Sequence, residues 1–530
     1  MLAIPEIPKT PNIPEHERTP MAAALLEIIQ VLRELVQALL DEIARLKGEK
    51  GRPKIRPSRL EGKAGNKGNT DGKRSGSARR SKTGELEIHE KKVLKADDVP
   101  AGSLFKGYED FTVQGLVVKA HNVLYRRERW ITPPGDSIVA PLPQEVRALG
   151  GHFDATLISF VLFQSYHAHV TQPLILEQLR EFGVDISAGQ VNRILTEGKD
   201  GFHAEKADIL RVGLEVSGYV NVDDTGARHE GKNGYCTHIG NELFAWFQST
   251  DSKSRTNFLG LLRAGREDYV LNAEAFEYMR VNKLAKGQIE RLTAGGPQAF
   301  ADEAQWKAAL AALGITQERH IRIATEGALL GSVLEHGINP NLGIVSDDAG
   351  QFNVLLHALC WIHAERTIAK IVGFNEDQRA AVQETLTQIW ELYRALKAYR
   401  KEPLEEKKAG LRARFDEIFT RETCLVTLNL ALERLHKNKR ELLLVLERPD
   451  MPLHNNTSET DIREYVKKRK ISGSTRSESG RRCRDTFTSL KKTSRKLKVS
   501  FWKYLNDRVR GTGAIAPLPE VLRRMALKPG

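Results

Sequence analysis

The sequence predicts a mixed α/β protein in which a small sheet is interrupted by long helical segments, and three observations carry that prediction. Residues 215 to 252 hold three strand-like runs, GYVNVDDTGARHE, YCTHIGN and LFAWFQSTDSK, separated by a turn at KNG and another near Asn241. Alternating polarity between turn residues is the pattern of a three-stranded antiparallel meander. Further on, GIVSDDAG is a short apolar run ending in two carboxylates, which reads as a buried strand followed by a loop. Between and after these lie mainly helical stretches, at about 256–340 and again from 353 to 448, with charged amphipathic periods such as QRAAVQETLTQIWELYRALKAYRK.

The elements ahead of the sheet follow in order. At 530 residues the chain is too long for one ordinary domain. Residues 1–20 are expected to be disordered. Residues 21–47 read as one amphipathic helix in which Leu25, Leu32, Leu39 and Leu46 recur every seven residues, with Ile29, Val36 and Ile43 between them at the same period. β-branched residues at a and Leu at d favour a parallel two-stranded coiled coil, and Glu42 could pair with Lys47 of a partner helix. Ile28, Leu35 and Leu40 widen the apolar stripe, so internal docking or a larger bundle stays open. Residues 48–87 are rich in Gly, Ser, Lys and Arg and nearly free of apolar residues, the composition of a flexible basic linker. In 88–142, FTVQGLVV, VLYRRERWIT and PPGDSIVAPLP alternate with turn signals and predict a small β-rich module. Residues 143–206 are helical. Within them PLILEQLREFGVDISAGQVNRILTEG has an apolar-periodic helix, a break at Gly183 and Ser187 as the N-cap of a second helix. That helix-turn-helix pattern would present Gln190, Asn192 and Arg193 to a DNA groove, although helical hairpins of this kind are common without that role.

Charge locates a partner. The chain carries a net +13, but residues 47–82 alone contribute +10 and residues 463–510 contribute +13, which leaves the remainder acidic. Positive charge concentrated beside an acidic body suits a polyanion, because neutralising phosphates releases condensed counterions. Cys236, Cys360, Cys424 and Cys483 lie too far apart for a zinc ribbon or a disulfide framework, so reduced thiols are expected. No apolar run reaches bilayer length and the N-terminus lacks the order of a secretory signal, so the expected location is cytoplasmic.

Ending a core strand in Asp-Asp is costly unless the carboxylates have a partner or a task, and the chain does so at Asp223-Asp224 and at Asp347-Asp348. On YVNVDD, strand parity groups Asp223 with Tyr219 and Asn221, the more polar face, and Asp224 with Val220 and Val222. On GIVSDD the same test leaves Asp347 and Asp348 undecided. Asn455-Asn456-Thr457-Ser458-Glu459 begins a helix whose polar first turn could bring in a third carboxylate, with Asp461 and Glu464 about 140–200° away around the helix. Three converging carboxylates suit two hard cations in phosphodiester chemistry.

These residues carry a resemblance. VDDTG, then SDDAGQF leading to CWIHAER, then NNTSE followed by RKISGSTRSESG, in this order, resemble the IS66 family of bacterial insertion-sequence transposases. The resemblance implies an RNase H-like catalytic core over 215–475 with helical insertions at 256–340 and 365–448, a basic C-terminal region at 476–530, and a triad of Asp223, Asp347 and Glu459. It selects Asp347 over Asp348 because the family's S-D is followed five residues later by an aromatic residue, here Phe352. It implies two Mg²⁺ or Mn²⁺ ions, one between Asp223 and Asp347 and one between Asp223 and Glu459, and DNA held by Lys467, Lys468, Arg469, Lys470, Arg481 and Arg482. Family members have Asp-Glu where Asp223-Asp224 stands, and a cysteine zinc finger where 88–140 has no cysteine, so no structural zinc is expected. Cys360 and His363 form half a zinc site without a second half, and packing or DNA positioning is the expected role. The activity implied is cleavage and joining of DNA at the ends of a mobile element by a homodimer or higher homo-oligomer, with accessory proteins of the same element as possible partners. The alternative is a non-catalytic, zipper-dimerised DNA-binding protein derived from a transposase.

Overall fold

The computed structural model describes residues 88–527 apart from 96, 98, 99, 101, 106, 107, 109 and 110. The zipper at 21–47 and the linker at 48–87 lie outside the described residues. The chain divides into two units, 1–120 and 121–530. The described residues of the first contain no helix or strand. FTVQGLVV, expected as a strand, has no ladder partner among the described residues, and Phe111, Val113, Leu116 and Val117 stay exposed. A strand forms only where a neighbour satisfies its backbone.

The second unit opens with a ribbon of β1 (Arg129–Ile131) and β2 (Ser137–Val139). Five helices follow: α1 (Gln144–Leu149), α2 (Ala155–Tyr166), α3 (Gln172–Glu181), α4 (Ala188–Thr196) and α5 (Asp200–Val216). Gly183, at φ +80°, turns the chain between α3 and α4, a conformation that favours glycine. Ser187 caps α4 in a reciprocal box: its hydroxyl accepts from Gln190 N at 3.2 Å while Gln190 Oε1 accepts from Ser187 N at 2.9 Å.

The sheet begins with β3 (Tyr219–Gly226), β4 (Tyr235–Gly240) and β5 (Ala245–Thr250), an antiparallel meander. An inserted segment then runs through α6 (Arg255–Leu262), β6 (Tyr269–Leu271), α7 (Ala273–Val281), α8 (Lys286–Thr293), β7 (Gln298–Phe300), α9 (Glu303–Ala312) and α10 (Glu318–Glu335), with β6 and β7 paired antiparallel. The chain returns to the sheet as β8 (Gly343–Ser346) and β9 (Leu356–Leu359), and the order across it is β5-β4-β3-β8-β9. β8 is parallel to both β3 and β9. Sequence periodicity predicts helix from 353, but LHAL is a strand; so short an apolar run fits either period, and burial beside β8 decides it.

Beyond the sheet come α11 (Trp361–Ala369), α12 (Glu376–Lys401), α13 (Glu405–Phe419), α14 (Val426–Lys437) and α15 (Lys439–Leu442), built around their own core of Trp361, Ile389, Leu392, Phe415 and Leu428. The chain ends in α16 (Asn456–Ser472), α17 (Glu478–Lys496), α18 (Phe501–Arg510) and α19 (Leu518–Ala526). One face of the sheet, with Val220, Val222, Ile239 and Ile344, joins the main core with residues of α5 and α10. On the other face Cys236, Ala245 and Phe247 pack with Ile462 and Tyr465 of α16.

α17 answers the edge problem of β5. An edge strand leaves a row of backbone groups unpaired, and here side chains four residues apart on the helix take them. Asp485 Oδ2 accepts from Ser249 N at 2.6 Å, Ser489 Oγ from Phe247 N at 2.9 Å and Thr493 Oγ1 from Ala245 N at 3.1 Å. A buried polar helix face is stable where each group finds such a partner.

Candidate active site

β3 and β8 are parallel neighbours, with Tyr219 opposite Gly343, Val220 opposite Ile344 and Asn221 opposite Val345. Two residues beyond the last pair stand Asp223, still within β3, and Asp347, just past the end of β8, so the register carries both carboxylates to the same side of the pairing. Side chains alternate along a strand, which puts Asp223 on the face of Asn221. α16 covers that face through Asn455: Asn221 Nδ2 donates to Asn455 Oδ1 at 2.9 Å, and Asn455 Nδ2 donates to Val222 O at 2.7 Å. Asn455 is buried, and its peptide N–H is directed at Cys360 Sγ, 3.2 Å away. Glu459 lies one turn along, its N–H bonded to Asn455 O at 3.1 Å. The start of α16 is thereby pinned to the strand bearing Asp223.

The neighbouring acids are engaged elsewhere. Asp224 accepts from Thr237 Oγ1 at 2.5 Å and from Gln351 Nε2 at 3.0 Å. Asp348 is exposed and pairs with Arg434 and Asn438 of the helical insertion. Asp461 is buried against Lys492 at 2.8 Å and Lys496 at 2.6 Å, with His238 Nε2 3.2 Å away. Burial pushes its carboxyl upward, but His238 and the two lysines hold it well below the usual carboxylate range. Glu464 bonds His169 at 2.8 Å and Lys491, which keep it below that range too.

The loop after β8 is fixed at three points. Phe352 is buried edge-to-face on Phe258, ring centroids 5.0 Å apart; Gln351 holds Asp224; and Arg255 Nη2 donates to Gly350 O at 2.6 Å. Within it Asp347 Oδ1 accepts from Ala349 N at 3.1 Å.

The electrostatics mark Asp223. Its carboxyl is pushed up to about 7, first by burial and then by the charges of Asp347, Asp224 and Glu459, against a lowering hydrogen bond from Asp224 N. Three half-buried carboxylates with oxygen donors only, repelling one another in this way, fit hard divalent cations, which would relieve the excess negative charge. As placed, no three His, Cys, Asp or Glu side chains among the described residues meet closely enough to hold an ion together. Glu459 is drawn toward Arg366, His363 and Arg463 instead, at 3.3, 3.8 and 3.8 Å.

Cys360 and His363 both address the start of α16. Burial pushes the Cys360 thiol up, which keeps it a neutral packing group.

The basic residues singled out in the sequence separate into two groups. Lys467, Lys470 and Arg482 are exposed, as are Asn192 and Arg193 on α4. Arg469 is half-buried and donates to Thr225 Oγ1 at 3.3 Å. Lys468 does not face solvent: it is buried, donates to Ser165 O at 2.6 Å, and burial lowers its pKa to about 8. It is therefore removed from the phosphate-binding set, because a cation that satisfies an internal carbonyl cannot also neutralise a phosphate. Arg481 is engaged with Asp251 at 3.0 Å and Glu478 at 2.8 Å, and Gln190 by its cap. The sequence reading gave no positioning role to Asn221, Asn455, Gln351 or Arg366. The NN pair stood in the quoted motif, but only a known contact to β3 explains why it is there.

Among the described residues no helix is long and apolar enough to cross a membrane. A family model described as "Transposase IS66 family" matches residues 344–482. The chain is also similar to a relative from Sinorhizobium fredii (strain NBRC 101917 / NGR234), an uncharacterized protein named y4jO. The two are 44% identical over 321 residues, which is 60% of this chain and 100% of the relative.

Proposed function

The chain belongs to the IS66 family of transposases, and from that premise we propose that it cuts and joins DNA at the ends of a mobile element, with Asp223, Asp347 and Glu459 as its catalytic carboxylates. The observation that carries the reading is the register that sets Asp223 beside Asp347, with the start of α16, which bears Glu459, pinned to β3 through Asn455; burial and these neighbouring acids raise the Asp223 carboxyl. Perturbed groups of this kind concentrate at functional sites.

We read the sheet as an RNase H-like core. Its support is the arrangement itself: a meander whose first strand is central, two parallel strands added on that strand's far side, and Asp223 and Asp347 just past the carboxyl-side end of the β3–β8 pairing. Open α/β sheets bind ligands at that end. Two Mg²⁺ or Mn²⁺ ions held by the three carboxylates would activate the attacking water or 3′ hydroxyl and stabilise the departing 3′ oxygen. Asn455 and Asn221 fix where Glu459 stands relative to Asp223, and Gln351 and Phe352 fix the loop that carries Asp347. The exposed Lys467, Lys470 and Arg482 would hold the DNA backbone, and the zipper at 21–47 would pair two protomers so that two ends are handled together.

The test is direct. With Mg²⁺ or Mn²⁺, the purified protein is expected to cleave or join the DNA that flanks its own gene. Asp223→Asn, Asp347→Asn and Glu459→Gln are each expected to cut product formation by at least about 100-fold while DNA retention persists. Full activity in any one variant removes that residue from the triad.

A further inference from the structure

We propose that Arg366 is a latch on Glu459: its guanidinium occupies the carboxylate oxygen that a divalent cation needs, and on cation entry it transfers to a backbone phosphate of the bound DNA. The proposal rests on the reading of Glu459 as the third catalytic carboxylate.

The spacing in CWIHAER makes the contact. Residues three apart on a helix share a face, and Cys360 caps α11 while His363 and Arg366 follow at that interval. All three address the start of α16, Cys360 through Asn455 N and the other two through Glu459. Arg366 Nη1 lies 3.3 Å and His363 Nε2 3.8 Å from Oε1, and Arg463 Nη2 lies 3.8 Å from Oε2. Among the described residues Asp223 and Asp347 have no such basic partner: they accept from the backbone N–H of Asp224 and Ala349. Of the three acids, therefore, Glu459 alone has arginine side chains within 4 Å among the described residues.

Burial separates the two partners. The Glu459 side chain is 18% exposed and that of Arg366 48% exposed, so the carboxylate is fixed and the guanidinium can move. Arginine stays charged and cannot vacate the oxygen by losing a proton. A cation sharing Glu459 must displace it or bear its repulsion. Once displaced, the planar fork is at the rim of the site, and its geometry matches a phosphate. A phosphate that takes Arg366 would by the same exchange free Glu459, so DNA and divalent cation should strengthen each other's binding; such coupling is reciprocal.

The experiment is a Mn²⁺ titration of the full-length protein by calorimetry, for the parent, Arg366→Gln, Arg366→Lys and Glu459→Gln, alone and with a 30-bp duplex as probe. Without DNA, Arg366→Gln is expected to bind Mn²⁺ about three- to fivefold more tightly than the parent, and Arg366→Lys to bind like the parent. With the duplex, the parent's affinity for Mn²⁺ is expected to rise and that of Arg366→Gln to stay where it was. A damaged fold would weaken metal binding, so damage cannot imitate the gain. Thermal unfolding of each variant confirms that the comparison is between folded proteins. If Glu459→Gln loses Mn²⁺ affinity while folded Arg366→Gln binds no more tightly than the parent, the latch is wrong and the triad stands. If Glu459→Gln binds Mn²⁺ unchanged, the triad reading fails and the latch with it.

Discussion

At Asp223, burial and three neighbouring carboxylates act in one direction and raise the folded-state pKa from 3.8 to about 7. A group whose pKa is higher when folded stabilises the protein below its unfolded value and loses that contribution as pH rises through the folded value. Asp223 is therefore a stability cost at pH 8 and none near pH 4. Without divalent cations, Asp223→Asn is expected to be more stable than the parent by about 1–2 kcal/mol at pH 8, after discounting for solvent access, with the gap closing toward pH 4. Urea unfolding at the two pH values checks this, and a variant no more stable at pH 8 would contradict the environment described. Choosing between adjacent acids was partly legible in the sequence. Parity on β3 singled out Asp223 because Tyr219 and Asn221 mark the polar face. At β8 it could not choose, and the family resemblance alone nominates Asp347; the pairing of Asp348 with Arg434, 86 residues away in sequence, is a tertiary contact that parity cannot see.

Among elements, the start of α16 does the positioning. Asn455 joins three chain segments: β3 through Asn221 and Val222 O, β9's end through Cys360, and Glu459 through its own carbonyl. Asn455→Ala would remove the side-chain donor to Val222 O and leave the Asn221 amide only its longer bond to His454 O at 3.5 Å, a loss of about 1–3 kcal/mol. It is also expected to lower activity by more than its effect on stability explains; chemical denaturation paired with a DNA-joining assay separates the two. Intact stability would mean that α16 is held without Asn455, by its apolar contacts and the ion pairs of Asp461 and Glu464. α17 shows where sequence reading stops. Its Asp485, Ser489 and Thr493, with Lys491 and Lys492, fall in the basic stretch whose charge suits a polyanion, yet all five are buried. Composition reports charge and polarity, whereas burial depends on which strand edge lies opposite. The meander at 219–250 and the Ser187 cap were legible because alternation, turns and caps are local.

For the whole molecule, the acidic body and its two basic stretches point to a polyanion, but the C-terminal stretch is less available than its charge implies. Lys468, Arg484, Lys491 and Lys492 are buried within the protein, and the surface charge left for DNA is carried by residues such as Lys467, Lys470 and Arg482. The proposed assembly would run through the N-terminal heptads, outside the described residues. Leu32→Pro is expected to reduce the oligomeric state measured by light scattering, because proline breaks the helix at a d position; an unchanged mass would mean that the helix packs within its own chain. The central claim is that Asp223, Asp347 and Glu459 together hold the metal ions of DNA cleavage and joining. The most direct measurement replaces each in turn with cysteine and compares product formation in Mg²⁺ and Mn²⁺. A thiolate is a poor ligand for Mg²⁺ and a better one for the softer ion. All three variants are expected to be inactive in Mg²⁺ and to regain part of the activity in Mn²⁺, while full activity in Mg²⁺ at any of the three positions would contradict the account.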